Sequence, residues 1–130
     1  MNKFYKIIDL QSWKDDRGEI NIINKRKDFN FDIKRIYFFK NKINNITRGF
    51  HAQKKNHSIF VPINGNFIIT LRNKIKKVRI HINSKNNQAI YIKPKIWREI
   101  IVKNKNFSCF IINSHFYNKN DYIFDIKNLN

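Results

Sequence analysis

The chain has 130 residues with 27 Lys and Arg against 9 Asp and Glu, a formal charge of +18 and a pI near 10.2; this length predicts one domain over residues 1–130 and excludes a two-domain enzyme. Hydrophobic residues at 42% and aromatics at 15% exclude a disordered chain. No apolar run nears the ~18 residues of a membrane span, Met1–Leu10 mixes charged and apolar residues unlike a signal peptide, and the single Cys109 excludes an internal disulfide, so a reducing cytoplasm is expected.

Strand-like segments dominate in chain order: 4–8, 20–23, 33–39, 58–63, 66–71, 78–82, 89–92, 99–102 and 107–113. Most are short, rich in Ile, Val, Phe and Tyr, and separated by Asn, Lys, Gly, Pro or Ser clusters, which predicts an all-β sandwich or barrel. Alternation is clearest at Val78-Arg79-Ile80-His81-Ile82, where the three aliphatic residues share one face. Asn64-Gly65 reads as a hairpin turn joining 59–63 to 67–71, because both residues tolerate positive φ. Residues 118–129 begin with a capping Asn and are the best candidate for a short terminal helix. Cys109, inside Phe107–Ile112, is expected to be a buried thiol.

The charge is dispersed. Its clusters, Lys25 to Lys27, Lys54-Lys55 and Lys74 to Lys77, are short, and there is no long basic tail. The abundance of Lys, Asn, Ile and Phe beside few Gly, Pro and Ala also matches A- and T-rich coding DNA. A nucleic-acid-binding barrel is therefore a third reading, marked by steep salt dependence. The charge does predict attraction for an anionic small substrate such as a nucleoside diphosphate.

Two groups place ionisable side chains beside glycine in this apolar scaffold: Asp16-Arg17-Gly18 and Arg48-Gly49-Phe50-His51-Ala52-Gln53-Lys54-Lys55. On a strand His51 and Gln53 point to the same face, and Arg35 and Tyr37 obey the same rule, so two strands can present a base, an amide, a cation and a phenol to one cavity. Each has a plainer reading: a structural histidine, surface arginines, and an Asp-x-Gly turn before the following strand. A barrel metal site of the H-x-H kind is a rival, but Gln53 breaks the pair and an amide oxygen is a poor ligand for transition metals.

The run Phe31-Asp32-Ile33-Lys34-Arg35-Ile36-Tyr37, then Arg48-Gly49-x-His51-Ala52-x-Lys54, Asn64-Gly65, Ile96-Trp97 and Tyr117-x-x-x-Asp121-Tyr122 resembles the cupin sugar 3,4-ketoisomerases acting on dTDP-4-keto-6-deoxyglucose. The resemblance is ordered and spans nearly the whole chain. It implies a single jelly-roll β-barrel, usually a homodimer, using neither metal nor organic cofactor, that moves the keto group from C4 to C3 of a dTDP-linked 4-keto-6-deoxy sugar for deoxyamino-sugar and surface-polysaccharide synthesis. It implies His51 as base, with Tyr37 and Gln53 orienting substrate or enediolate. Arg17 is expected at the sugar, Arg35 and Arg48 at the diphosphate, and Trp97 in the pocket as a substrate-binding residue, its plainer reading being core. Asp121-Tyr122 is expected to dock the C-terminal segment. Arg17-Gly18 resembles members that yield the galacto-configured product. One departure stands out: the family's H-A-H-K reads His51-Ala52-Gln53-Lys54 here. An amide is neither acid nor base near pH 7, so the alternative is a non-catalytic or altered-outcome cupin that binds a nucleotide sugar.

Overall fold

The computed structural model describes residues 4–129, all in strands, short 3-10 turns and loops. Twelve strands follow one another: β1 (Tyr5–Asp9), β2 (Gln11–Asp15), β3 (Gly18–Ile22), β4 (Arg35–Lys40), β5 (Ile46–Gln53), β6 (Ser58–Asn64), β7 (Asn66–Arg72), β8 (Lys77–Asn83), β9 (Gln88–Ile92), β10 (Trp97–Val102), β11 (Ser108–Asn113) and β12 (Tyr122–Ile123). They form two five-stranded antiparallel sheets, β1-β9-β6-β11-β4 and β12-β5-β10-β7-β8, while β2 and β3 pair only with each other. This is the jelly-roll arrangement that the resemblance implies.

Period-two patterning explains the layers. Between the sheets lie Phe60, Phe67, Ile69, Leu71, Ile82, Ile90, Ile92, Ile100, Val102, Cys109 and Ile111, all buried. Their strand neighbours Ile59, Val61, Ala89 and Ile112 point outward and are covered by Phe29, with Ile23 and Phe31 packed alongside. The first sheet is thus apolar on both faces, which is why β6 reads as an unbroken apolar run. Val78, Ile80 and Ile82 do share the inner face, with Arg79 and His81 exposed. Cys109 is a buried free thiol, and burial pushes its pKa well up.

Two expectations are corrected. Asn64-Gly65 does not close a hairpin: β6 and β7 lie in different sheets, and the chain crosses between them at Gly65, whose φ is +92°. Both edges of β6 are already taken by β9 and β11, so β7 finds its partners in β8 and β10. A side chain at Gly65 would press on Phe107. Residues 118–129 do not form a helix either. They make 3-10 turns at Lys119–Asp121 and Ile126–Asn128, capped by Asn118 and Asp125 side chains, with β12 between them. Ile123 and Leu129 are buried on Ala52 and Trp97, a spacing that an extended segment satisfies and a helical period does not. As expected, Asp121-Tyr122 docks this segment: Tyr122 pairs with Gln53, and the Asp121 carboxylate accepts from the Lys55 N–H at 2.8 Å.

Candidate active site

The site is set by a bulge in β5. Along β10 the register runs Arg98 opposite His51 and then Glu99 opposite Gly49, so Phe50 is left over. Gly49 (φ +93°) and Phe50 (φ +59°) both take left-handed backbone, and the extra residue resets the alternation. Arg48 and His51, three residues apart, therefore both face the cavity between the sheets. Gly49 is required twice, by its φ and because a Cβ there would lie 2.8 Å from the Arg98 carbonyl oxygen.

The cavity holds about 290 Å³ and is lined by Tyr37 and Phe39 of β4, Arg48, Gly49 and His51 of β5, Phe60 of β6, and Arg98 and Ile100 of β10. His51 Nδ1 lies 3.1 Å from the Gly49 carbonyl oxygen, which only accepts, so Nδ1 carries the proton and Nε2 keeps a free lone pair. The ring sits against Tyr122 and Phe124 at centroid distances of 4.8 and 6.1 Å. Burial, reinforced by the positive charge of Arg98 and opposed by the Gly49 carbonyl, lowers the His51 pKa to about 4. At neutral pH the imidazole is therefore an uncharged base. Burial likewise raises the Tyr37 hydroxyl above its ordinary value, against the pull of Arg98.

Arg98 is 2% exposed and has no carboxylate partner among the described residues. Its Nη1 donates to Gln53 Oε1 at 3.1 Å and Ser58 Oγ at 3.2 Å, and its Nη2 donates to the Ile96 carbonyl at 3.4 Å. Its Nε is buried without a hydrogen-bond acceptor, and so is that of Arg35. Arg35 lies over the Tyr37 and Tyr117 rings at 5.6 and 5.8 Å, and Arg48 over Phe39 at 4.4 Å. A neutral imidazole thus shares one cavity with the guanidinium groups of Arg48, whose Nη2 donates to Asn41 Oδ1 at 3.4 Å, and Arg98, whose Nε is unpartnered, an arrangement suited to holding an anionic oxygen.

Gln53 is buried at 3% exposure beneath this cavity, in a polar cluster with Asn56, Ser58 and Asn113. Of the expected site residues, His51, Tyr37 and Arg48 line the cavity, while Arg35 reaches it only over the Tyr37 ring and Gln53 only through Arg98. Trp97 does not: it is 5% exposed, packed with Ala52, Ile123 and Leu129 on the outer side of its sheet, and its Nε1 donates to Glu99 at 2.9 Å. The substrate-binding place that the resemblance implies for it is thus corrected to the core. Arg17 sits on the β2–β3 turn, its side chain 91% exposed and ion-paired to Asp15 at 2.6 Å, outside the cavity of its own chain. Arg98 went unread in the sequence, although it follows Trp97 on an inward-facing strand and its parity with Ile100 places it inside. Among the described residues no three His, Cys, Asp or Glu side chains gather as a metal site.

A family model, WxcM-like C-terminal (FdtA), matches residues 3–130. The TDP-4-oxo-6-deoxy-alpha-D-glucose-3,4-oxoisomerase of Aneurinibacillus thermoaerophilus is 28% identical over 120 residues, 91% of this chain and 84% of that protein. The sugar 3,4-ketoisomerase QdtA of Thermoanaerobacterium thermosaccharolyticum, solved with TDP, is 29% identical and superimposes with a TM-score of 0.88 over 98% of this chain and 92% of its own. The WlaRB TDP-quinovose 3,4-ketoisomerase of Campylobacter jejuni is 27% identical, with a TM-score of 0.87 over 98% of this chain and 100% of its own.

Proposed function

This chain belongs to the WxcM-like family of sugar 3,4-ketoisomerases, and we propose that it converts TDP-4-keto-6-deoxyglucose to a TDP-3-keto-6-deoxyhexose, with the galacto product favoured. The observation that carries this reading is the uncharged His51 imidazole set in one cavity with the buried Arg98, which makes no ion pair among the described residues. Moving a carbonyl to its neighbour requires taking the proton at C3, stabilising an enediolate and returning a proton at C4. His51 Nε2 is the base. Arg98 and Tyr37 face the oxyanion, while Arg35 and Arg48 meet the diphosphate, for which the guanidinium fork is suited. The chemistry requires an enzyme upstream that oxidises C4 and one downstream that consumes a 3-ketone, such as an aminotransferase.

The working unit in this reading is a homodimer. Trp13 and Ile20 are 55% and 63% exposed on the β2–β3 sheet, which pairs with no other strand among the described residues, and Ile36 and Phe38 are exposed on β4 at an open sheet edge. A lone two-stranded sheet is marginal in water. A second copy covering these surfaces would give Arg17 a route to the sugar that its own chain does not offer.

His51→Asn tests the assignment: turnover is abolished while TDP, measured calorimetrically against UDP, still binds. Unchanged turnover in that variant refutes the base. A wild-type chain that binds TDP and turns over nothing is the non-catalytic cupin.

A further inference from the structure

A separate cavity opens on the outer face of the first sheet, with β6 and β9 between it and the core. It holds about 390 Å³, within the range of small-molecule sites. Strand parity builds its floor. Ile90 and Ile92 face the core, so Tyr91 points outward, and Lys6 does the same on β1 between Tyr5 and Ile7. His57, just before β6, stands beside Tyr91 with its Nδ1 2.6 Å from the Tyr91 hydroxyl oxygen, and the 24–31 loop brings Phe31 to both rings.

The three rings are close to parallel. Their planes differ by 26° for Phe31 and His57, 28° for Phe31 and Tyr91 and 13° for His57 and Tyr91, with centroids 5.8, 6.5 and 5.9 Å apart. All three are half-buried and border the cavity. The wall is pinned by the fold itself: the His57 N–H donates to Ser114 Oγ at 2.8 Å, and within the loop the Arg26 N–H donates to the Phe29 carbonyl at 2.6 Å. Burial, reinforced by His115, holds the His57 imidazole below its ordinary pKa, so the ring is uncharged at neutral pH. Lys6, Arg26 and Lys27 stand around the rings, exposed and in no ion pair among the described residues, whereas the neighbouring Lys25 is paired with Asp32. The one carboxylate of the lining, Asp28, is drawn into the loop, where its Oδ2 accepts from the Asn24 N–H at 2.7 Å.

We propose that this outer cavity is a second ligand site, for a nucleoside diphosphate, with the base stacked on the Phe31, His57 and Tyr91 rings and the phosphates held by Lys6, Arg26 and Lys27. An uncharged ring platform suits a base, and because every base has a π face the platform accepts purines and pyrimidines alike. The three cations match the charge that a diphosphate carries near neutral pH, and the Arg26 guanidinium can take two phosphate oxygens at once. Both halves of the ligand are needed: the rings alone offer a base no charge, and three exposed cations alone hold phosphate weakly against water and salt. None of these residues lines the cavity of His51. The two sites can therefore be filled together, and this one stands or falls independently of the isomerase reading.

The test reads the two sites apart by NMR of the full chain as ADP is added, with the His57 and Tyr91 ring resonances reporting on the outer cavity and those of His51 on the inner one. The His57 and Tyr91 resonances should shift together and saturate below about 1 mM ADP, with adenosine and pyrophosphate each binding there at least about tenfold more weakly. Arg26→Asn combined with Lys27→Gln alters two exposed side chains, and Asn tolerates the left-handed backbone of Arg26 at φ +77°. This variant should bind ADP at least about tenfold more weakly and adenosine as before. Phe31→Leu keeps apolar bulk against Phe29 and should weaken ADP and adenosine while leaving pyrophosphate unchanged. In both variants the His51 resonances should stay where they are in the wild type, which shows the fold intact. His57 and Tyr91 resonances unmoved by about 5 mM ADP overturn the site. Pyrophosphate binding as tightly as ADP overturns the role of the rings, and an unchanged ADP affinity in the double variant overturns that of the cations.

Discussion

Replacing Arg98 by Met separates what the residue does for folding from what it does for chemistry. Burial lowers the Arg98 pKa well below the ordinary guanidinium value, to about 10, opposed by nearby Tyr37, Tyr122 and Asp121. At ~1.4 kcal/mol per pH unit, the buried charge costs the folded state about 3 kcal/mol at every pH below about 10, a penalty that shrinks as pH rises above that value. Met has similar length and no charge. The acceptors released are not orphaned, because Gln53 Oε1 and Ser58 Oγ keep the Asn56 amide as donor. Lost packing and hydrogen bonds offset part of the gain, so Arg98→Met should unfold at higher urea, stabilised by about 1–3 kcal/mol with unchanged m-value. Its turnover should fall by about 10²-fold or more, as loss of an oxyanion donor does. A variant that is destabilised and keeps its turnover would refute the reasoning and make Arg98 a structural cation.

Further outcomes follow from the same geometry. Gly49→Ala puts a Cβ 2.8 Å from the Arg98 carbonyl at a φ of +93° and should cost about 2–4 kcal/mol in thermal or urea unfolding, with activity lost as β5 and β10 separate. Because His51 must be uncharged to accept a proton and titrates near 4, turnover should show no loss from this group between pH 8 and about 5 and should fall below about 4. The unfolded imidazole takes its proton near 6.5 and the folded one near 4, so acidification through that window should remove up to about 3 kcal/mol of stability, a slope absent in His51→Asn. Trp97→Ala, opening the patch beneath Ile123 and Leu129, should cost about 3–5 kcal/mol and leave the TDP affinity of the folded fraction unchanged.

Much of this was legible in the sequence because strand physics is local. The alternation of β8 and the Ile, Val and Phe runs of β6, β7, β10 and β11 mark the sheets, and i, i+2 parity pairs Arg35 with Tyr37 and His51 with Gln53. What escaped is what depends on partners far along the chain. Asn64-Gly65 has the chemistry of a hairpin, but whether two strands pair across it is decided by β9, β10 and β11, which come later. The bulge that brings Arg48 and His51 to one side is hinted at by Gly49 and fixed only by its register against β10. Arg98 was hidden because an arginine in a basic chain reads as surface; Trp97 facing outward and Ile100 buried two residues on show that it faces in. Arg17 was placed at the sugar by resemblance, whereas in its own chain it caps an exposed turn with Asp15.

The central claim is that a neutral His51 beside Arg98 moves a carbonyl between adjacent carbons although Gln53 stands where a second histidine is usual. It is tested most directly by following TDP-4-keto-6-deoxyglucose with the wild-type chain in deuterated water by NMR. The account predicts a 3-keto product of galacto configuration that forms with the wild-type chain and not with His51→Asn. TDP binding without product or exchange at C3 would contradict it.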